Sequence, residues 1–221
     1  MLSKYLKNIP IFSHLREADL EALAKRCKNL SFNKGDIVFY SSTSSTDLYI
    51  VLSGRLKAVL LGDDGGEIVL STFRAGDFFG ELSLIDGKGR SATIVADEAS
   101  SVAVLQRRAF FDFLLKDPKI AIELMIILAG RLRKADEMIE SLAFLEVSER
   151  LLKTILEIAR TEGVPCKDGI RLERLTHREL AGRVGASREA VSKCMKGLIS
   201  KGIIKEEEGS FIFITKGIED L

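Results

Sequence analysis

The feature that most constrains the fold is a change of hydrophobic period at Pro118. Before it, from Leu30 to Gln106, apolar residues come in short runs rich in β-branched and aromatic side chains: Ile37–Tyr40, Leu48–Leu52, Leu56–Leu61, Ile68–Phe73, Ala92–Ala96 and Val102–Leu105. Turn formers separate them, among them Lys34-Gly35-Asp36, Ser53-Gly54, Ala75-Gly76-Asp77 and Asp86–Gly89. Short strands with turns at near-regular spacing predict a β-sandwich or small barrel, and a jelly roll of about eight strands is the favoured form. The polar tract Ser41–Asp47 reads as a loop. Upstream, Leu15, Leu20, Leu23, Ala24 and Cys27 recur at three-to-four spacing, which predicts an amphipathic helix over Ser13–Lys28 lying as a lid on the strands.

After Pro118 the spacing becomes helical. Met125, Leu128, Leu132, Ala135, Ile139 and Leu142 follow an unbroken 3-4-3-4-3 pattern, with Arg131, Arg133, Lys134, Asp136, Glu137 and Glu140 on the flanks. Such a stripe serves either a helix packed on its own domain or the a/d seam of a coiled-coil dimer. A further helix runs from Ser148 through Leu151, Leu152, Ile155, Leu156 and Ala159 and breaks at Gly163-Val164-Pro165. An extended piece at Ile170–Leu172 leads to two helical segments, Thr176–Val184 and Ser187–Ser200, separated by Gly185-Ala186. The apolar pieces Gly202–Lys205 and Phe211–Ile214 flank a Glu-Glu-Glu-Gly-Ser turn and read as a hairpin. Helix, tight turn, helix and hairpin make a winged helix-turn-helix. The expected class is therefore α+β: an N-terminal β jelly roll, a long central helix, and a C-terminal winged helix-turn-helix.

The second half carries a nucleic-acid pattern. Thr176 is placed to cap the first helix, with Glu179 completing a capping box, and Ser187 to cap the second. Arg188 and Glu189 then lie in the first turn of that second helix, the end a recognition helix presents to base edges. Arginine can donate two hydrogen bonds to a guanine edge, and glutamate can accept from a cytosine amino group. Lys193 shares a face with Glu189, while Thr176 and His177 suit phosphate or mixed contacts. The 221 residues carry a net charge of only +1, so they do not bind nucleic acid along their whole surface. Within Thr176–Lys205, however, seven basic residues face two acidic ones, Glu179 and Glu189, a local charge of +5.

The first half carries an anion-binding pattern. Gly80-Glu81-Leu82-Ser83-Leu84 and Arg90-Ser91-Ala92-Thr93 bracket the turn Asp86–Gly89. A helical turn after Gly80 offers backbone N–H groups, Arg90 offers two charge-assisted bonds and Ser91 a hydroxyl, which together suit a phosphate. Glu81, an acceptor, suits a sugar hydroxyl. An internal Arg90–Glu81 ion pair without any ligand is the equal alternative.

At these residues the sequence resembles a known family. Phe79–Leu84 through Arg90–Thr93 is similar to the phosphate-binding cassette of cyclic-nucleotide-binding domains, and Lys34–Phe39 with Leu48–Gly54 is similar to the strands that precede it. Thr176–Ala181 with Gly185–Val191 resembles the helix-turn-helix of the cyclic AMP receptor protein and fumarate-nitrate regulator (CRP/FNR) superfamily of bacterial transcription factors. The resemblance runs from Ile11 to about Ile214 and implies an effector domain over 1–117, a dimerisation helix over 118–145 and a DNA-binding domain over 146–221. It implies a homodimer on a near-palindromic double-stranded DNA site, a small-molecule effector in each jelly roll, and RNA polymerase as a partner. Glu81 would hold a ribose hydroxyl, Arg90 and Ser91 the cyclic phosphate, and the backbone of Gly80, Leu82 and Ser83 the rest. Arg188, Glu189 and Lys193 would read bases, beside Thr176, His177 and Ser187. Lys193 stands where arginine is common, which keeps the charge but loses the bidentate fork.

The sequence departs from the family at the base-reading positions of the central helix, where the resemblance places Ala135 and Asp136 instead of small hydroxyl residues. Alanine makes no hydrogen bond and an ionised aspartate only accepts, which suits the N1/N2 edge of guanine better than adenine. The effector thus stays open between cyclic AMP, a guanine nucleotide, another anion and none, and Asp136 reads equally as a water-facing flank of the seam. Ser42 also replaces a usual glycine. Cys27, Cys166 and Cys194 are odd in number and far apart, which excludes a disulfide framework and an N-terminal iron–sulfur cluster. A haem sensor needs an axial ligand in the effector half, where His14 is the one histidine, His177 lying in the second half. No Ser/His/Asp set, Cys/His set, metal-ligand spacing or Walker loop occurs, so an enzyme is not expected. The opening MLSKYLKNIPIF lacks a sustained apolar stretch and no run approaches the ~20 residues of a membrane span, so a cytoplasmic protein with no membrane partner is expected.

Overall fold

The computed structural model describes residues 2–62, 66–173, 175–207 and 209–214. By its internal contacts the chain divides into two units, Met1–Leu61 with Val69–Ala135, and Gly62–Ile68 with Asp136–Leu221.

The first unit opens with a short helix α1 (Leu2–Leu6), a 3-10 turn at Pro10–Phe12 and α2 (Glu17–Arg26). Eight strands follow: β1 (Cys27–Phe32), β2 (Ile37–Phe39), β3 (Leu48–Ser53), β4 (Arg55–Leu61), β5 (Glu67–Arg74), β6 (Phe78–Phe79), β7 (Thr93–Ala96) and β8 (Ser100–Leu105). The six-residue helix α3 (Glu81–Asp86) interrupts them after β6. One sheet has the order β1-β8-β3-β6 and the other β2-β7-β4-β5, the interleaving of a jelly roll. The expected helix over Ser13–Lys28 is shorter than its pattern: it starts after Arg16, and Cys27 already pairs with Leu105 as the first residue of β1. Cys27 satisfies both a helical and a strand spacing, and sheet pairing decides for the strand.

Two apolar clusters hold this unit. Between the sheets lie Phe39, Val51, Leu56, Phe73, Phe79, Ile94 and Val102. On the outer face of the β1-β8-β3-β6 sheet, Leu6, Ile9, Phe12, Leu20 and Leu23 cover Leu48, Ile50 and Leu105, together with Phe110 and Phe113 of α4 (Arg107–Lys116). Ile120 and Leu124, in the first turns of α5 (Lys119–Phe144), complete it. Cys27 sits beside this cluster, and burial pushes its thiol pKa up to about 11. At pH 8 the thiolate is then scarce, so alkylation of Cys27 is expected to run about a hundredfold slower than that of a free cysteine. Mass-resolved iodoacetamide labelling checks this, and labelling at the free-thiol rate would show a reactive site instead.

The second unit contains α6 (Val147–Glu162), β9 (Val164–Cys166), β10 (Gly169–Glu173), α7 (His177–Val184), α8 (Arg188–Ser200), β11 (Ile204–Glu207) and β12 (Ser210–Ile214). The break expected at Gly163-Val164-Pro165 turns into a strand, since Val164, Pro165 and Cys166 pair with β10. The wing is thus a four-stranded sheet, β11-β12-β10-β9. Leu151, Ile155, Leu172, Leu180, Val184, Val191, Met195 and Phe211 form its core.

Candidate functional site

In the jelly roll, Phe39, Phe73, Phe79, Gly80, Glu81, Leu82, Ser83, Arg90, Ser91 and Arg131 are among the residues lining an open recess of about 350 Å³, its mouth included. Its floor is aromatic: Tyr49 stacks on Phe79 at 5.1 Å, and Phe39 and Phe73 tilt against the same ring. Gly80 starts α3 at φ +86°, and a Cβ there would meet Arg90 Nη1 at 2.5 Å and the Asp47 carbonyl at 2.8 Å. A glycine is therefore required both for the backbone angle and for the approach of the arginine. The first N–H groups of a helix have no partner within it, so the opening turn of α3 offers donors to an anion.

Arg90 is only 4% exposed. It donates from Nε to Ser45 Oγ (2.9 Å), from Nη1 to the Gly80 carbonyl (3.1 Å) and from Nη2 to the Asp47 carbonyl (2.8 Å). Its guanidinium lies over the rings of Phe39 and Tyr49, at 4.3 and 5.3 Å. Burial pulls its pKa down, opposed by Tyr49 and Asp47. Among the described residues no carboxylate comes within ion-pair distance of it, so the alternative of an internal Arg90–Glu81 pair is not formed. Glu81, 5% exposed, instead accepts from Arg131 Nη1 at 2.7 Å. Arg131 also donates to the Phe78 carbonyl and lies over Phe73 and Phe78.

Two features of this recess escape the sequence reading. Arg131 is counted there among the flanks of the helical seam, yet it turns inward as a wall of the recess. The loop Ser41–Asp47 supplies Ser45, two carbonyls and a cap over Arg90, whose own N–H bonds the Thr43 carbonyl. No local pattern distinguishes such a loop from an idle turn. Ser83 bonds the Gly89 carbonyl and so closes the turn between the two halves of the motif. Ala135 and Asp136, by contrast, are exposed on α5 and do not line the recess.

The winged helix has its own surface. Thr176 and Glu179 form the expected capping box, and Ser187 Oγ accepts from the Ala190 N–H at 3.1 Å. Gly185 takes φ +65° between α7 and α8. Ser187, Arg188, Glu189 and Lys193 are all exposed along α8, whereas Val191, Met195 and Leu198 hold the opposite face in the core. His177 is half-buried, its Nδ1 at 2.8 Å from Ser192 Oγ on α8. Arg150 of α6, not anticipated from the sequence, donates to the Leu145, Val184 and Gly185 carbonyls and braces the turn before α8.

Among the described residues no group of histidines, cysteines and carboxylates can hold a metal ion, and no helix is long and apolar enough to cross a membrane. Two family models match, the cyclic nucleotide-binding domain over residues 29–117 and the Crp-like helix-turn-helix domain over residues 149–216. The chain is 30% identical over 212 residues to the CRP-like cAMP-activated global transcriptional regulator of Mycobacterium tuberculosis, spanning 96% of this chain and 95% of that one. It is also 30% identical over 205 residues to the cyclic AMP receptor protein of Thermus thermophilus, spanning 93% and 92%. Its fold matches that of the c-di-GMP responsive global regulator of Xanthomonas campestris with a TM-score of 0.81, at 24% identity, covering 90% of this chain and 99% of that one. A jelly roll with a recess at Arg90 and the start of α3, a winged helix with Arg188 and Lys193 exposed on α8, and full-length similarity to such regulators establish the chain as a DNA-binding transcription regulator, not an enzyme, of the CRP/FNR family.

Proposed function

We propose that the protein is a homodimeric regulator that binds a near-palindromic DNA site under the control of a cyclic nucleotide held in the jelly roll. The observation that carries the effector is Arg90: a cation withdrawn from water, supported by neutral acceptors and aromatic faces, and opening on a recess. Burying such a charge is costly without a counter-ion, and a phosphate supplies one. Glu81 then takes the sugar hydroxyl and the first turn of α3 the remaining phosphate oxygens. Arg131 ties Glu81 to α5, so a ligand that engages Glu81 bears directly on that helix. A difference in ligand contacts between two dimer arrangements is the source of switching.

The dimer reading rests on α5. Met125, Leu132 and Ile139 are 59%, 64% and 65% exposed, an apolar stripe of the a/d spacing. A symmetric pair would set two α8 helices in successive major grooves, about 34 Å apart. At a promoter the complex would meet RNA polymerase.

Selection from random DNA with the full chain, alone and with cyclic AMP, cyclic GMP or cyclic di-GMP, tests the proposal, alongside calorimetry with the same nucleotides and with inorganic phosphate. Enrichment of an inverted repeat that depends on one nucleotide is expected. Failure of all three to bind sinks the effector reading, and an enriched site without two-fold symmetry sinks the dimer. Arg188→Ala is expected to weaken binding to the selected site by about 1–3 kcal/mol and to relax preference at one base of each half-site. A variant that selects the unchanged site would remove Arg188 from base reading.

A further inference from the structure

The base-reading face of α8 is set by how the helix is rotated about its own axis. Its buried side, Val191, Met195 and Leu198, is purely apolar, and such contacts are non-directional. A rotation of about 10° would cost that face little, yet would swing a side-chain tip some 5–6 Å from the axis through about 1 Å, enough to spoil a bidentate contact. One directional bond sits at the edge between the buried and exposed sides. Ser192, between buried Val191 and exposed Lys193, meets His177 Nδ1 at 2.8 Å. His177 is itself fixed, being the first residue of α7, between the capping-box residues Thr176 and Glu179.

We infer that His177 and Ser192 are positioning residues for DNA reading: their hydrogen bond locks the rotation of α8, so that His177 acts through Ser192 rather than as an independent phosphate contact. The bond forms with either tautomer of the imidazole. Neutral His177 with a bare Nδ1 accepts from the hydroxyl, and with a protonated Nδ1 it donates.

The inference rests on the DNA-binding reading and is tested on the site selected by the wild-type protein, with whichever nucleotide that selection required. His177→Phe and Ser192→Ala are each expected to weaken specific binding about two- to tenfold, the range of one net hydrogen bond, with the thermal midpoint near that of wild type. The double variant is expected to lose no more than either single one, because the two residues form one contact. His177→Asn, which presents a polar atom near the position of Nδ1, is expected to restore much of the affinity. The slope of affinity against salt should stay unchanged throughout, since no phosphate contact is lost. The proposal is overturned if Ser192→Ala binds as wild type does while His177→Phe alone weakens binding with a shallower salt slope, or if the two losses simply add. A wild-type protein that enriches no site overturns the DNA-binding reading first, and this inference with it.

Discussion

An Arg90→Gln variant is expected to lose cyclic-nucleotide binding by about two to three orders of magnitude while still folding. The loss follows from charge-assisted bonds to a phosphate in a desolvated setting, where removing one partner of a buried charged pair costs about 2–5 kcal/mol. Glutamine keeps a donor for the Asp47 or Gly80 carbonyl and removes a cation whose burial is itself unfavourable, so the apo fold should tolerate it. Arg90→Lys separates charge from geometry. It restores a point charge without the fork that reaches Ser45, Gly80 and Asp47 at once, so only part of the affinity should return. Calorimetry with the nucleotide bound by wild type measures both variants. Wild-type affinity in Arg90→Gln would mean that the recess is not where the phosphate sits.

The second large effect is expected on α5. Leu132→Glu or Ile139→Glu places a charge on a residue that is already 64% or 65% exposed in the single chain, so the fold of each protomer has little to lose. In a symmetric pair the same charge would meet its own copy across the seam, with no partner to neutralise it. The variant is expected to be a monomer by light scattering and to show no specific DNA complex. A monomer holds one half-site and forfeits the effective concentration of a linked second module, which can amount to about 10²–10⁴ in affinity. A variant that stays dimeric would move the interface elsewhere. Glu137, on the same helix but off the apolar stripe, provides the control as Glu137→Lys.

Much of this was legible along the chain. Six of the eight strands match apolar runs within two residues, because each is a short run rich in β-branched and aromatic side chains set off by turn formers. The two that were missed have physical reasons. β6 is only Phe78–Phe79, too short to show a period, and the opening of β1 is shared with a helical spacing. At the recess the cassette glycine, Glu81 and Arg90 could be singled out because backbone geometry and phosphate chemistry demand those residue types close together in sequence. Arg131 could not, since it lies 50 residues from Glu81 along the chain and carries no mark that separates it from its neighbours Arg133 and Lys134. Ser45 and the carbonyls of Thr43 and Asp47 were hidden for the same reason, as any polar loop can offer them.

Periodicity, turn chemistry and capping pairs are local, so the order jelly roll, long helix, winged helix followed from the residues alone, as did the exposed face of Arg188, Glu189 and Lys193. Which buried charge meets which is decided by contacts between segments distant in sequence. Only the tertiary structure could join Glu81 to Arg131, set Arg90 on Ser45 and the carbonyls of Gly80 and Asp47, and tie His177 to Ser192.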